Sequence, residues 1–162
     1  MMRTLIIAAA SAAVLTLSPA VFGQQPDHGT ADQAKAMLLK AEAAVKADKT
    51  KALNMFNTGE GGFLDRDLYP FCFNVSDGKI VAVGNPNAKR LIGQDTRTFK
   101  DPNGKMYGVE NYAAAQKPEG QITETSSYMF PKMGSDTLAP KVSFVTRVGD
   151  LGCGVGYYPT AK

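Results

Sequence analysis

From Thr30 onward, apolar residues recur at three- and four-residue spacings: Ala34, Met37, Leu38, Ala41, Val45, Ala52, Leu53 and Phe56. That period is the signature of an amphipathic helix, and Lys35, Lys40, Glu42, Lys46 and Lys49 form its solvated face. Thr30 or Asp32 suits the start. Asp48-Lys49-Thr50 breaks the pattern, with Thr50 placed to cap a second short helix ending at Asn57. After a Gly-rich turn the period changes to two. Leu68–Val75 reads as a strand with Tyr69, Phe71 and Phe73 on one face. Ser76-Asp77-Gly78-Lys79 makes a tight turn, and Ile80–Val83 returns. Residues 88–103 read as a loop with one short helical turn. Met106–Gln116 reads as a short helix, stopped by Pro118 and Gly120. Three further strands follow, at Gln121–Phe130, Lys141–Val148 and Leu151–Tyr158. The simplest packing of this order is an α+β fold, with a long N-terminal helix laid on a five-stranded antiparallel sheet.

The first 23 residues follow another logic. Arg3 precedes an apolar run from Leu5 to Leu17, and small residues around Ala20 and Gly23 follow. This is the pattern of a cleaved secretory signal over residues 1–23, leaving a single domain at 24–162. The run of about 13 residues falls short of the roughly 20 needed to cross a bilayer. The expectation is therefore a periplasmic or secreted protein. A free-standing module, without a membrane anchor or cytoplasmic effector after Lys162, is expected.

Composition narrows the chemistry. The 162 residues are 44% apolar and 20% charged, with a formal charge of +3, which suits one folded domain. The charges are interspersed, without the basic stripe that nucleic-acid binding requires. One His and two Cys leave no His-dependent triad and no metal cluster, so neither catalysis nor a cofactor is expected. In an oxidising compartment Cys72 and Cys153 either form a bridge, if the fold brings them together, or stay as buried thiols.

The remaining motifs are weak. Gly152, Gly154 and Gly156 alternate like a phosphate loop, but no helix follows them, so they read as places where another element or a ligand approaches a strand. Asp65 and Asp67 flank Arg66 as a solvated strand entrance, and His28 has no organised neighbours in sequence. More informative are Lys141 and Ser143, which share one strand face: either Lys141 sits at a solvated strand end and the rings fill the core, or both point toward an aromatic-lined cavity. A Lys and a Ser in an aromatic-lined cavity suit a small carboxylate, because the ammonium offsets its charge and the rings exclude water.

Several segments together resemble a single Cache domain. Gly61–Phe73, Asp77-Gly78-Lys79 and Gly84-Asn85-Pro86 are similar to its first hairpin. Leu91–Asp95, Asp101–Lys105, Pro140–Val145, Arg147–Asp150 and Gly152–Tyr158 continue the likeness over residues 30–158. The resemblance implies an extracytoplasmic, PAS-like sensory fold with strand order 2-1-5-4-3 and a small-molecule pocket on the face opposite the long helix. In that order Cys72 and Cys153 lie on neighbouring strands, which favours the disulfide. Pro70 within the first strand, and Phe144 where relatives commonly carry Tyr, depart from the pattern.

The expected function is an exported sensory-type module that binds a short organic acid or similar metabolite. Its site is expected to comprise Tyr69, Phe71, Tyr107, Tyr128, Lys141 and Ser143, with Lys141 as anion partner and Tyr107 covering the pocket. The alternative is a ligand-free accessory that docks on a membrane receptor or on a second copy of itself.

Overall fold

The computed structural model describes residues 28–159, so the expected export segment at 1–23 lies outside the described residues. Helix α1 spans Ala31–Ala47. It opens with a capping box in which the Thr30 hydroxyl accepts from the Gln33 N–H and the Gln33 side chain accepts from the Thr30 N–H. Ala34, Met37, Leu38, Ala41 and Val45 are buried, as the period predicts. Asp48, not Thr50, caps helix α2 (Lys49–Thr58), its carboxylate accepting from the Lys51 N–H at 3.0 Å. Gly59, at φ 77°, ends that helix in the left-handed region. Among the described residues no helix is long and apolar enough to cross a membrane.

The strands are β1 (Pro70–Asn74), β2 (Ile80–Val83), β3 (Thr123–Glu124), β4 (Tyr128–Pro131), β5 (Leu138–Val148) and β6 (Leu151–Tyr157). They form one antiparallel sheet in the order β2-β1-β6-β5-β3, with β4 also paired to β5. Helix α3 (Tyr107–Ala115) and three 3-10 turns, Glu60–Gly62, Pro86–Leu91 and Thr96–Thr98, complete the elements of the described residues. Pro70 occupies the first position of β1, where a missing N–H is tolerated, and its carbonyl accepts from the Gly84 N–H.

The expected order is preserved, with one correction. The single strand expected over Gln121–Phe130 is two short strands on the same neighbour. Thr123 pairs with Val145 and Tyr128 with Lys141, so this chain carries one residue more than β5 does over the same span. The surplus is absorbed at Thr125-Ser126-Ser127, where Thr125 bonds the Ser143 backbone and Ser126 bonds the Glu110 carboxylate. This is the geometry of a bulge, which re-aims the side chains beyond it. A second irregularity lies in β2. Phe71 pairs with Val83 and Phe73 with Ile80, so β2 carries an extra residue and both Ile80 and Val83 face the same side of the sheet.

Two cores result. On the helical side, α1 and α2 bury Leu38, Phe56, Leu151 and Val155 against the disulfide of Cys72 and Cys153. The two cysteines pair directly across β1 and β6, with Cα atoms 4.1 Å apart. On the other face Tyr69, Phe73, Ile80, Val83 and Val145 pack beneath α3 through Ala114 and Ala115. Phe144 points to the helical side and stacks on Tyr157, so the residue type there does not shape the opposite face.

Candidate functional site

The face covered by α3 holds a cavity of about 40 Å³, room for roughly three water molecules. Lys141 forms its charged end. The residue is only 3% exposed, and its ammonium donates to the Tyr69 hydroxyl at 3.0 Å. Three rings surround the charge: Tyr69, Tyr158 and Phe130, with centroids 4.4, 4.7 and 5.0 Å from Nζ. Such faces attract a cation through their quadrupoles. Among the described residues no carboxylate lines the cavity.

The glycines of β6 explain how so long a side chain fits here. A Cβ at Gly156 would lie 2.5 Å from Lys141 Cε, one at Gly154 would meet the Phe71 ring, and one at Gly152 the Phe73 ring. The stripe is the floor over which these three side chains lie. Gly108 does the same for the cover: a Cβ there would lie 1.7 Å from the Thr96 carbonyl oxygen, so only glycine lets α3 settle against the Thr96–Thr98 turn.

Tyr107, at the start of α3, stacks on Tyr128 with centroids 4.3 Å apart and planes 9° from parallel. Phe130 meets both rings edge-on, one of the arrangements aromatic groups favour. Burial, with a smaller contribution from Tyr69, pushes the Tyr107 phenol up to about 12. It therefore stays protonated and able to donate a hydrogen bond throughout the physiological range. Burial likewise pushes the Tyr128 and Tyr158 phenols up. Asp101 anchors this wall: its carboxylate accepts from the backbone N–H groups of Met129, Asn103 and Lys105. Those bonds, the Met129 one foremost, hold its pKa below the usual carboxylate range.

Of the residues singled out in the sequence, Tyr69, Phe71, Tyr107, Tyr128 and Lys141 line this one cavity. Ser143 does not. It is fully buried one layer behind the wall, sharing a 2.9 Å hydrogen bond with the Tyr128 hydroxyl. Sequence reasoning omitted Ile80, Val83, Ala88, Leu91, Thr96, Phe99, Asn111 and Phe130 from the lining. Asn111 was visible as a lone amide in an Ala-rich helix, four residues after Tyr107. Ile80 and Val83 were hidden, because only the bulge puts positions of opposite parity on one face.

A wider cleft of about 460 Å³ abuts the cavity and carries Arg90, Lys132 and Asp136. The two spaces share Ala88, Leu91, Tyr107 and Phe130, so these four side chains stand between the buried ammonium and the outer cleft.

The strand entrance also differs from expectation. Arg66 forms an ion pair with Asp65 at 2.9 Å and also donates to the His28 carbonyl and the Gln33 side chain. Asp67 turns inward, 5% exposed, and accepts from the Gly29 N–H at 2.7 Å while meeting His28 Nδ1 at 2.9 Å. His28 is therefore tied to the fold, its ring 6.2 Å from that of Tyr158. The pair forms because the strand start folds back under the residues preceding α1, a contact between positions 39 apart in sequence.

This architecture has known counterparts. A methyl-accepting chemotaxis protein from Vibrio parahaemolyticus matches with a TM-score of 0.61 at 21% identity, over 78% of this chain and 86% of that one. The periplasmic sensor domain of a chemotaxis protein matches at 0.58 and 23% identity, over 80% and 90% of the two chains. A Cache chemosensory domain described for carboxylic acid recognition matches at 0.58 and 20%, over 80% and 88%. At these identities the likeness concerns the fold. Residues 30–158, from the cap of α1 to the end of β6, match the family Single Cache domain 2, and the chain belongs to that family of sensory domains.

Proposed function

We propose that this Cache domain is an exported receptor module for a short organic acid, bound in the cavity beneath α3 with its carboxylate on Lys141. The observation that carries this reading is the Lys141 ammonium: buried, held by a single hydrogen bond to Tyr69, and facing a cavity without any acidic residue. A buried charge is normally paired, and an ammonium has three donors. An anionic ligand would satisfy the donors that Tyr69 leaves over. Support also comes from the similar chemosensory domain that recognises carboxylic acid. In this reading the apolar side chains of the lining, Ile80, Val83 and Leu91 among them, receive the short carbon chain.

The test is a thermal-shift panel of acetate, propionate, pyruvate, lactate and amino acids, run on the wild type and on Lys141→Met. An acid at 100 times its dissociation constant should stabilise the wild type by about 2.7 kcal/mol and leave the variant unmoved. A panel in which no acid raises the melting temperature would refute the reading.

A further inference from the structure

The cavity lining includes a second polar group that no contact among the described residues satisfies. Asn111 sits in α3, the helix that covers the sheet, is 3% exposed, and lines the same cavity as Lys141. Its Oδ1 is buried and accepts no hydrogen bond from any described residue. Buried side-chain polar atoms in folded proteins nearly always have a partner, and leaving one unmet costs the full desolvation of the group. The lining residues thus include a buried cation with donors to spare and a buried amide whose acceptor is unmet.

Resting on the carboxylate reading above, we propose that the preferred ligand is a short hydroxycarboxylate, its carboxylate on Lys141 and its hydroxyl donating to Asn111 Oδ1. Three observations select this class. The small volume, room for about three water molecules, favours the smallest acids, two carbons before three. The free atom of Asn111 is an acceptor, so the complementary ligand group must be a donor. The donor must also be neutral: the lining contains no Asp or Glu, so the ammonium of an amino acid would lie unpaired beside Lys141. A keto acid supplies only an acceptor at that point, and a plain fatty acid supplies nothing. Asn111 is thereby the residue that determines specificity, and Lys141 the one that sets affinity for the class.

The experiment is isothermal titration of the mature wild-type chain with matched acids: acetate against glycolate, propionate against lactate and 3-hydroxypropionate, and pyruvate as the acceptor-only control. The best hydroxy acid is expected to bind at least tenfold more tightly than its deoxy partner and than pyruvate. The same titrations on Asn111→Leu, which keeps the volume but removes the amide, should abolish that preference while propionate binding persists. Equal affinities for hydroxy and plain acids in the wild type would overturn the proposal, with the short-acid reading intact, and would mean that water satisfies Asn111. Pyruvate binding as tightly as lactate would overturn it too, because the amide would then be presenting its N–H. If no carboxylate binds at all, both readings fall together. The wild-type comparison decides the matter even if Asn111→Leu does not fold.

Discussion

Lys141→Met separates a ligand-binding lysine from a structural one. Methionine matches the length and bulk of the lysine stem, so the packing over Gly156 is kept. The native side contributes one charge-assisted hydrogen bond to Tyr69, about 1.5–3 kcal/mol. The three rings around Nζ add roughly 0.5–2 kcal/mol each. Against these stands the cost of removing an ammonium from water, several kcal/mol even after relaxation. Methionine avoids that cost and regains part of the ring contact through sulfur–aromatic packing, about 0.3–1.5 kcal/mol per contact. The terms nearly cancel. Unliganded Lys141→Met should therefore lie within about 1.5 kcal/mol of the wild type, or above it. Urea denaturation monitored by circular dichroism, without added acid, measures the difference. A loss of more than about 3 kcal/mol, the size seen when one member of a buried pair is removed, would show that Lys141 holds the fold together and would refute the argument that its unmet donors exist for a ligand.

Other outcomes follow from the same contacts. Replacing both cysteines (Cys72→Ala/Cys153→Ala) should cost about 4.5 kcal/mol by loop-closure entropy for residues 81 apart, read as a large drop in the urea midpoint; a loss under about 1 kcal/mol would contradict it. Gly156→Ala should cost about 1–3 kcal/mol by overpacking and weaken acid binding, since its Cβ would displace the Lys141 stem. Unaltered binding would show that the stem relocates freely. Gly108→Ala should lower the melting temperature more than Gly156→Ala, because its Cβ meets backbone rather than the end of a flexible chain. Asp101 has a folded pKa below its unfolded value, so its contribution is present above about pH 4 and lost as the pH falls through the folded pKa. The stability gap between wild type and Asp101→Ala should accordingly narrow below pH 4, and a gap that stays constant between pH 7 and pH 3 would contradict the assignment.

Much of this molecule was legible along the chain. Periodicity located α1, α3, β1, β2, β5 and β6, because a helix or strand with one buried face writes its period into the sequence whatever it packs against. Alternation also put Tyr69 and Phe71 on one face of their strand and set Lys141 on the face opposite Phe144, while the resemblance implied which face looks away from the long helix. Residue type pointed to Lys141, since an ammonium among aromatic positions on a strand is informative without coordinates. What required the tertiary structure was everything set by pairing between distant segments. The split of the third long strand, the parity change that brings Ile80 and Val83 together, and the inward turn of Asp67 toward His28 all depend on which residues face each other across the fold. Ser143 illustrates the limit: its face was right, yet its hydroxyl is spent on Tyr128 one layer behind the cavity. Period and residue type are local properties that a sequence carries openly. Register, burial depth and the absence of a partner for the Asn111 carbonyl are properties of the assembled chain, fixed only when strands and helices far apart in sequence close against one another.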